Sequence, residues 1–361
     1  MRFSLYSEIQ YWGGKSQKRA YDEVIEQVVH ADRLGYDAYG IIEHFFFPKF
    51  SISANPFALW GECAAKTRNI KFRTLGHVLP YHNPTILASQ IAAAGILFDG
   101  RYEFGALRGH GWIPGKAGVP IRETRDRYEE SLDILFQALR DERFSYDGRY
   151  YHVDEAQIWP RPETKFRVFL GGTSDRTYEL AAENGWAVVV PPLLPYVALK
   201  EQLDLYRSKC AEHGTEPDIV WIHACYIDED RDNARREAER GMRQFLEGNA
   251  SPLGDPHVNF PSKEDMEASG YGFYISGIME KLAQTPFDEM IDGDIVWVGT
   301  PEDVIERIEA VRDVCEGLTE ISITVNPGGF AHWQAIKAQE LFADLVMPHF
   351  KTADREEAAV A

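Results

Sequence analysis

The run Gly171-Gly172-Thr173-Ser174-Asp175-Arg176-Thr177 follows a short strand-like stretch, Arg167 to Leu170, and opens a helix-like one. A glycine turn between strand and helix leaves backbone N–H groups free, with the positive end of the helix dipole behind them, and lets an anion approach closely. Ser174 and Thr177, one turn apart, can aim two hydroxyls at that anion, whereas a capping box would place Glu or Gln where Thr177 stands. The pattern favours phosphate over a plain N-cap. A matching cation is available in Gly105-Ala106-Leu107-Arg108-Gly109-His110-Gly111, which closes another strand-like run. Arg108 offers a forked contact to phosphate, with a salt bridge to one of 57 carboxylates as the alternative.

Glu43-His44-Phe45-Phe46-Phe47 also ends a strand-like run, and an imidazole there suits proton transfer, unless a backbone carbonyl simply satisfies it. No HExxH, histidine-rich run or third ligand at metal spacing accompanies Glu43-His44, so no metal is expected. In Leu75-Gly76-His77-Val78-Leu79-Pro80, a glycine inside an apolar strand marks a bulge or kink, or a ligand plane against the backbone. Gly328-Gly329 could hold a phosphate or make a tight turn.

Something must bring these segments together. Strand-like runs at Arg2 to Tyr6, Asp37 to Ile42, Ile70 to Leu79, Arg101 to Leu107, Arg167 to Leu170, Trp186 to Val190, Ile219 to Ile227 and Glu320 to Val325 alternate with helix-like ones. The helices are expected at Lys18 to Leu34, Pro56 to Lys66, Pro84 to Leu97, Arg122 to Leu139, Ser174 to Asn184, Val197 to His213, Arg231 to Gly248 and His332 to Met347. Strand-helix-strand crossovers force parallel neighbours, and eight such units suit a closed (β/α)8 TIM barrel, with an open doubly wound sheet as runner-up. A hairpin is expected at Phe144 to Val153, closed by Asp147-Gly148. Residues 249–293, with Pro252, Pro256, Pro261, Pro286 and the aromatics Tyr271, Phe273 and Tyr274, form an insertion before the last strand. They are too long for an ordinary connection and read as a lid or an oligomer contact. One domain over 1–350 and a frayed tail at 351–361 complete the expected organisation.

Composition narrows the partners. With 38 basic and 57 acidic residues the chain carries a net charge of −19, which disfavours nucleic acid and anionic membrane surfaces. No apolar run reaches the length of a membrane span, and Met1 leads directly into a strand-like stretch without a signal-peptide core, so a cytoplasmic protein is expected. Cys63, Cys210, Cys225 and Cys315 show no CxxC pairing and read as reduced packing residues.

Taken in order, Glu43-His44, Val78-Leu79-Pro80, Asp99-Gly100-Arg101-Tyr102 leading to Arg108-Gly109, Gly172-Thr173-Ser174-x-x-Thr177, Val298-Gly299-Thr300-Pro301-Glu302-Asp303-Val304 and Val346-Met347-Pro348-His349-Phe350 resemble the bacterial-luciferase-like flavin monooxygenases. The resemblance runs from Phe3 to Phe350. It implies a barrel that takes reduced FMN from a separate flavin reductase, activates dioxygen and inserts one oxygen atom into a small organic substrate. Carried over by position, Arg108, Ser174 and Thr177, with the backbone around Gly172 and Thr173, would hold the phosphate. Leu75-Gly76 would form a non-prolyl cis peptide beneath the flavin ring. Glu43, Leu107, Gly109 and His110 would border the cofactor, and His44 would be the active-site histidine. The phosphate then sits by the fourth and fifth strands, and Gly328-Gly329 loses its functional reading.

Departures limit what carries over. Phe45 stands where many members have a second histidine, and Leu107 replaces the reactive cysteine of luciferase, so light emission is not implied. Gly95, where aspartate is frequent, bears on packing. Competing expectations are a deazaflavin-dependent oxidoreductase on the same barrel, whose members often show Asp-His instead of Glu43-His44, and a flavin-binding protein without turnover. Tyr6, Trp12, Phe46, Phe47, Trp112 and the 271–274 aromatics suggest an apolar or aromatic substrate, and a homo-oligomer is expected.

Overall fold

The computed structural model describes residues 1–172, 174–192, 198–258, 260–326 and 328–351. All but the first residue of the expected tail at 351–361, and the first residue of the expected Val197 helix, lie outside them. Eight parallel strands close a barrel: β1 (Arg2–Ser7), β2 (Ala38–Ile41), β3 (Lys71–Val78), β4 (Tyr102–Leu107), β7 (Val168–Gly171), β8 (Ala187–Val190), β9 (Ile219–Ile227) and β11 (Leu318–Thr324). Pairing of β8 with β9 completes the circle, so the open-sheet alternative is excluded. The hairpin is present as antiparallel β5 (Phe144–Asp147) and β6 (His152–Ala156).

Alternation along the strands builds two apolar layers. Phe3, Leu5, Ile41, Phe72, Phe104 and Leu170 point outward into the helices, while Tyr6, Leu75, Phe169, Val189 and Ile222 point inward. The helices that cover the barrel are α1 (Gln17–Leu34), α2 (Pro56–Ala64), α3 (Pro84–Leu97), the short α4 (Pro114–Ala117), α5 (Thr124–Arg140), α6 (Asp175–Asn184), α7 (Lys200–His213) and α8 (Arg231–Ala250). At the strands' N-terminal end the interior is plugged by charge. Arg73 meets Glu103 at 2.6 Å and also pairs with Glu320, which Arg167 reaches in turn. All four cysteines are buried and unbonded. None of the described helices is long and apolar enough to cross a membrane.

Two differences from the sequence reading stand out. The chain between the insertion and the last barrel strand holds a further strand and helix, β10 (Trp297–Gly299), which pairs outside the barrel with the end of β9, and α12 (Pro301–Val314). The insertion is itself folded into α9 (Lys263–Ala268), a 3-10 turn (Gly272–Ile275), α10 (Ile278–Gln284) and α11 (Phe287–Asp292). The last helix, α13 (His332–Leu341), continues as a π-helical turn at Phe342–Val346.

Candidate active site

The strands' C-terminal ends open into one cavity, and the phosphate-type motif is on its wall. Gly171, Gly172, Ser174 and Thr177 line it from the end of β7 and the start of α6, whereas Thr173 lies outside the described residues. Ser174 occupies the N-cap position of α6, yet its side chain caps no backbone N–H. Its hydroxyl instead meets that of Thr177 at 3.0 Å and accepts a hydrogen bond from Arg125 Nη2 at 2.9 Å. The plain N-cap alternative therefore fails: Thr177 N donates to the Ser174 carbonyl at 2.9 Å, and the Ser174 side chain caps none of the other N–H groups of the helix start.

Arg125 was not anticipated. It sits in α5, an amphipathic helix whose sequence gives no hint of a site, and only barrel closure brings it to Ser174. Arg108 lines the same cavity. Burial, and then the facing Arg108, pull the Arg125 guanidinium below its ordinary value. Two cations held near each other, beside two hydroxyls and a helix start, favour an anion between them. Arg108 also donates to the carbonyls of Ser269 and Gly270, the latter at 2.9 Å, and lies 3.9 Å above the Tyr271 ring. The expected phosphate ligand thus also grips the insertion.

The cavity wall includes Leu75 and Gly76, and the peptide between them is cis. The β3–β4 register slips between Thr74 and His77, which is the expected bulge. A Cβ on Gly76 would sit 2.6 Å from the Gly105 backbone, so β3 and β4 approach as only glycine allows. Leu107, Gly109 and His110 complete this side. His110 stacks on Trp112 at 4.6 Å, and burial lowers its imidazole to about 3, leaving it neutral.

Glu43 and His44 do not line the cavity. Glu43 turns to β3 and the turn that follows it, accepting from Val78 N at 2.9 Å, His82 Nε2 at 2.7 Å and His77 Nδ1 at 3.4 Å. The sequence offered no third ligand beside Glu43, but folding brings His77 and His82 to it, with ligand atoms within 4.8 Å. These groups bond one another, and His77 Nε2 meets the Tyr102 hydroxyl at 2.7 Å, so the cluster reads as a tie between strands. Burial alone would raise the Glu43 carboxyl; His77 and His82 outweigh it and hold it at about 2. A carboxyl lowered on folding stabilises above its unfolded value of 4.5 and loses that contribution as pH falls toward 2. The stability gap between the wild type and Glu43→Gln should therefore be widest near neutrality and close across that acid window in denaturant titrations. A pH-independent gap would refute the assignment.

His44 is fully buried, stacked 4.2 Å from Phe50, with Nε2 accepting from Trp112 Nε1 at 3.2 Å. Burial, and then His110, drive it well below its ordinary value, so it is neutral with its proton on Nδ1. Trp112 and Phe50 stand between it and the cavity, which both of them line. Of the aromatics expected at the substrate, Tyr6, Trp112, Tyr271, Phe273 and Tyr274 line the cavity. Trp12 lies under Lys49, Phe46 is exposed and Phe47 packs into the inner core. Residues missed by sequence reading, Glu8, Tyr128, Asn249, Met279 and Leu282, line it too.

The chain matches the family model described as luciferase-like monooxygenase over residues 1–315. It is 24% identical to the oxygenase component of the flavin-dependent trigonelline monooxygenase of Acinetobacter baylyi, over 100% of this chain and 99% of that protein. Two solved structures share the fold. The oxygenating constituent of 3,6-diketocamphane monooxygenase from Pseudomonas putida, in complex with FMN, gives a TM-score of 0.76 at 22% identity, covering 96% of this chain and 98% of that one. An F420-dependent secondary alcohol dehydrogenase gives 0.70 at 16% identity, covering 95% and 97%.

Proposed function

The chain belongs to the luciferase-like monooxygenase family and is a flavin-dependent oxidoreductase, and on that premise we propose that it is the oxygenase of a two-component system using reduced FMN. FMN delivered by a separate reductase supplies, when bound, the electrons that activate dioxygen for transfer of one oxygen atom to a small apolar or aromatic substrate. The observation that carries this reading is the meeting of Arg108, Arg125, Ser174 and Thr177 in the cavity that also exposes Gly76. The first four would hold a phosphate, and the bare backbone of Gly76, packed against Gly105 as only glycine allows, would give a flat ring a surface to lie on. Leu107, Gly109 and His110 would border the ring. Glu43 would act indirectly, fixing Val78 and with it the strand end that carries Gly76. His44 would act through Trp112, as a positioning residue. We take residues 1–350 as one domain with 249–293 as its lid. The nearly all-apolar α3, with Ile86 and Leu97 exposed, supports pairing with a second copy.

Titration of the protein with reduced FMN and with the deazaflavin F420, followed by oxygen uptake in the presence of a flavin reductase, tests the reading. Binding of the deazaflavin alone would favour the alternative oxidoreductase, and FMN binding without oxygen uptake a non-catalytic binder. Arg125→Ala should weaken reduced-FMN binding by about 1.5–3 kcal/mol, the scale of a charged hydrogen bond, and Arg108→Ala should do the same. Arg108→Ala alone should also loosen the insertion. Unchanged flavin affinity in both folded variants would remove the phosphate assignment.

A further inference from the structure

The cavity contains a carboxyl that the flavin reading does not use. Glu8 follows directly on β1 and is buried on the cavity wall. Around the closed barrel, β1 and β7 are four strands apart in either direction. Glu8 therefore faces the phosphate cradle from across the barrel mouth, where a substrate would lie beyond the ring.

Its surroundings define its chemistry. Asn249, at the end of α8, donates from Nδ2 to Glu8 Oε2 at 3.0 Å and to the Phe245 carbonyl at 3.0 Å, so both its amide hydrogens are used. Glu8 Oε1 has the Tyr6 hydroxyl at 3.5 Å, beyond the usual ~2.5–3.0 Å range of an O–H···O bond. Asn249, Gln10 and Tyr6 are uncharged at neutral pH, so no cation offsets burial, which raises the carboxyl to about 8. Gln10, like Asn249, donates to the carboxylate form. A neutral carboxylic acid has one O–H to donate, and among the described residues every hydrogen bond found at the Glu8 carboxyl is one that it accepts. Aromatic surface completes the cavity wall, from Tyr6, Phe50, Trp112 and Tyr274.

We propose that Glu8 donates a hydrogen bond to a carbonyl-type acceptor on an uncharged, largely apolar substrate and so selects for that class. The inference rests on the cavity being the substrate site of the proposed oxygenase. A substrate lacking the acceptor leaves the donor unsatisfied, and a cation would need the ionised acid that burial disfavours.

Three shape-matched probes test this by equilibrium dialysis against the full-length protein: acetophenone, its hydrocarbon isostere α-methylstyrene, and benzamidinium. Acetophenone should bind roughly five- to tenfold more tightly than α-methylstyrene, the scale of one net hydrogen bond. Glu8→Ala should erase that preference, whereas Glu8→Gln, which keeps a donor, should retain most of it. Equal binding of the neutral pair, no acetophenone binding, a preference surviving in Glu8→Ala, or tighter benzamidinium binding would each overturn the proposal. The wild-type comparison stands even if a variant fails to fold. A protein that discriminates the probes but binds no flavin would refute the oxygenase reading and leave Glu8's role in place.

Discussion

Replacing Tyr271–Tyr274 with a short glycine-serine connection should leave reduced-FMN affinity nearly intact while diverting most oxygen consumption to hydrogen peroxide. Tyr271 is buried under Arg108 and donates to Thr124 Oγ1 at 3.2 Å. Tyr274 meets Trp112 edge-on at 5.0 Å and His110 at 5.8 Å, so the insertion forms a wall of the cavity as well as a loop beside it. A closed wall excludes water and holds the substrate near the reacting atoms, and opening it should cost coupling more than binding. Oxygen uptake with and without catalase, on any substrate that the wild type oxygenates, gives the ratio of product to peroxide. We expect that ratio to fall by roughly tenfold or more, on the scale of lost orientation. Unchanged coupling would return the segment to the oligomer-contact alternative.

Much of this arrangement was legible in the chain because strands and helices announce themselves by period. Branched runs such as Ile219 to Ile227 and apolar faces such as Tyr128, Leu132, Leu135 and Leu139 give the barrel, and glycine turns give the site at its mouth. What escaped has physical causes. β10 has three residues, too few to show a period, although Thr300 and Asp303 form a capping box with Pro301 at the first helical turn, a signal that could have revealed α12. Arg125 and Glu8 escaped for another reason. Their roles depend on neighbours 49 and 241 residues away, Ser174 and Asn249, and no local pattern encodes such a meeting. Glu43 and His44 show the converse. Adjacent in sequence at a strand end, they turn to different partners, one to the β3 edge and the other to Trp112.

That divergence sets the expected behaviour of His44. A neutral imidazole held well below its ordinary value cannot act as an acid and base around pH 7, so kcat/KM should show no titration from this residue between about pH 5 and 9. Its contact with the site is the acceptor it offers to Trp112 Nε1, which fixes the indole against which His110 stacks at an interplanar angle of 8°. Removing it should let the indole and His110 shift by a fraction of an ångström to an ångström. Misplacement of that order costs roughly 10–100-fold in rate. His44→Ala should therefore lower product formation by that factor and raise peroxide, with flavin affinity little changed because the phosphate contacts are distant. Trp112→Phe, which removes the donor, should produce the same loss, and the double variant should be no worse than either single one, since both break one interaction. Losses that multiply instead would mean that His44 reaches the reacting atoms itself. Normal rates and normal coupling in His44→Ala would leave it a packing histidine beneath Phe50.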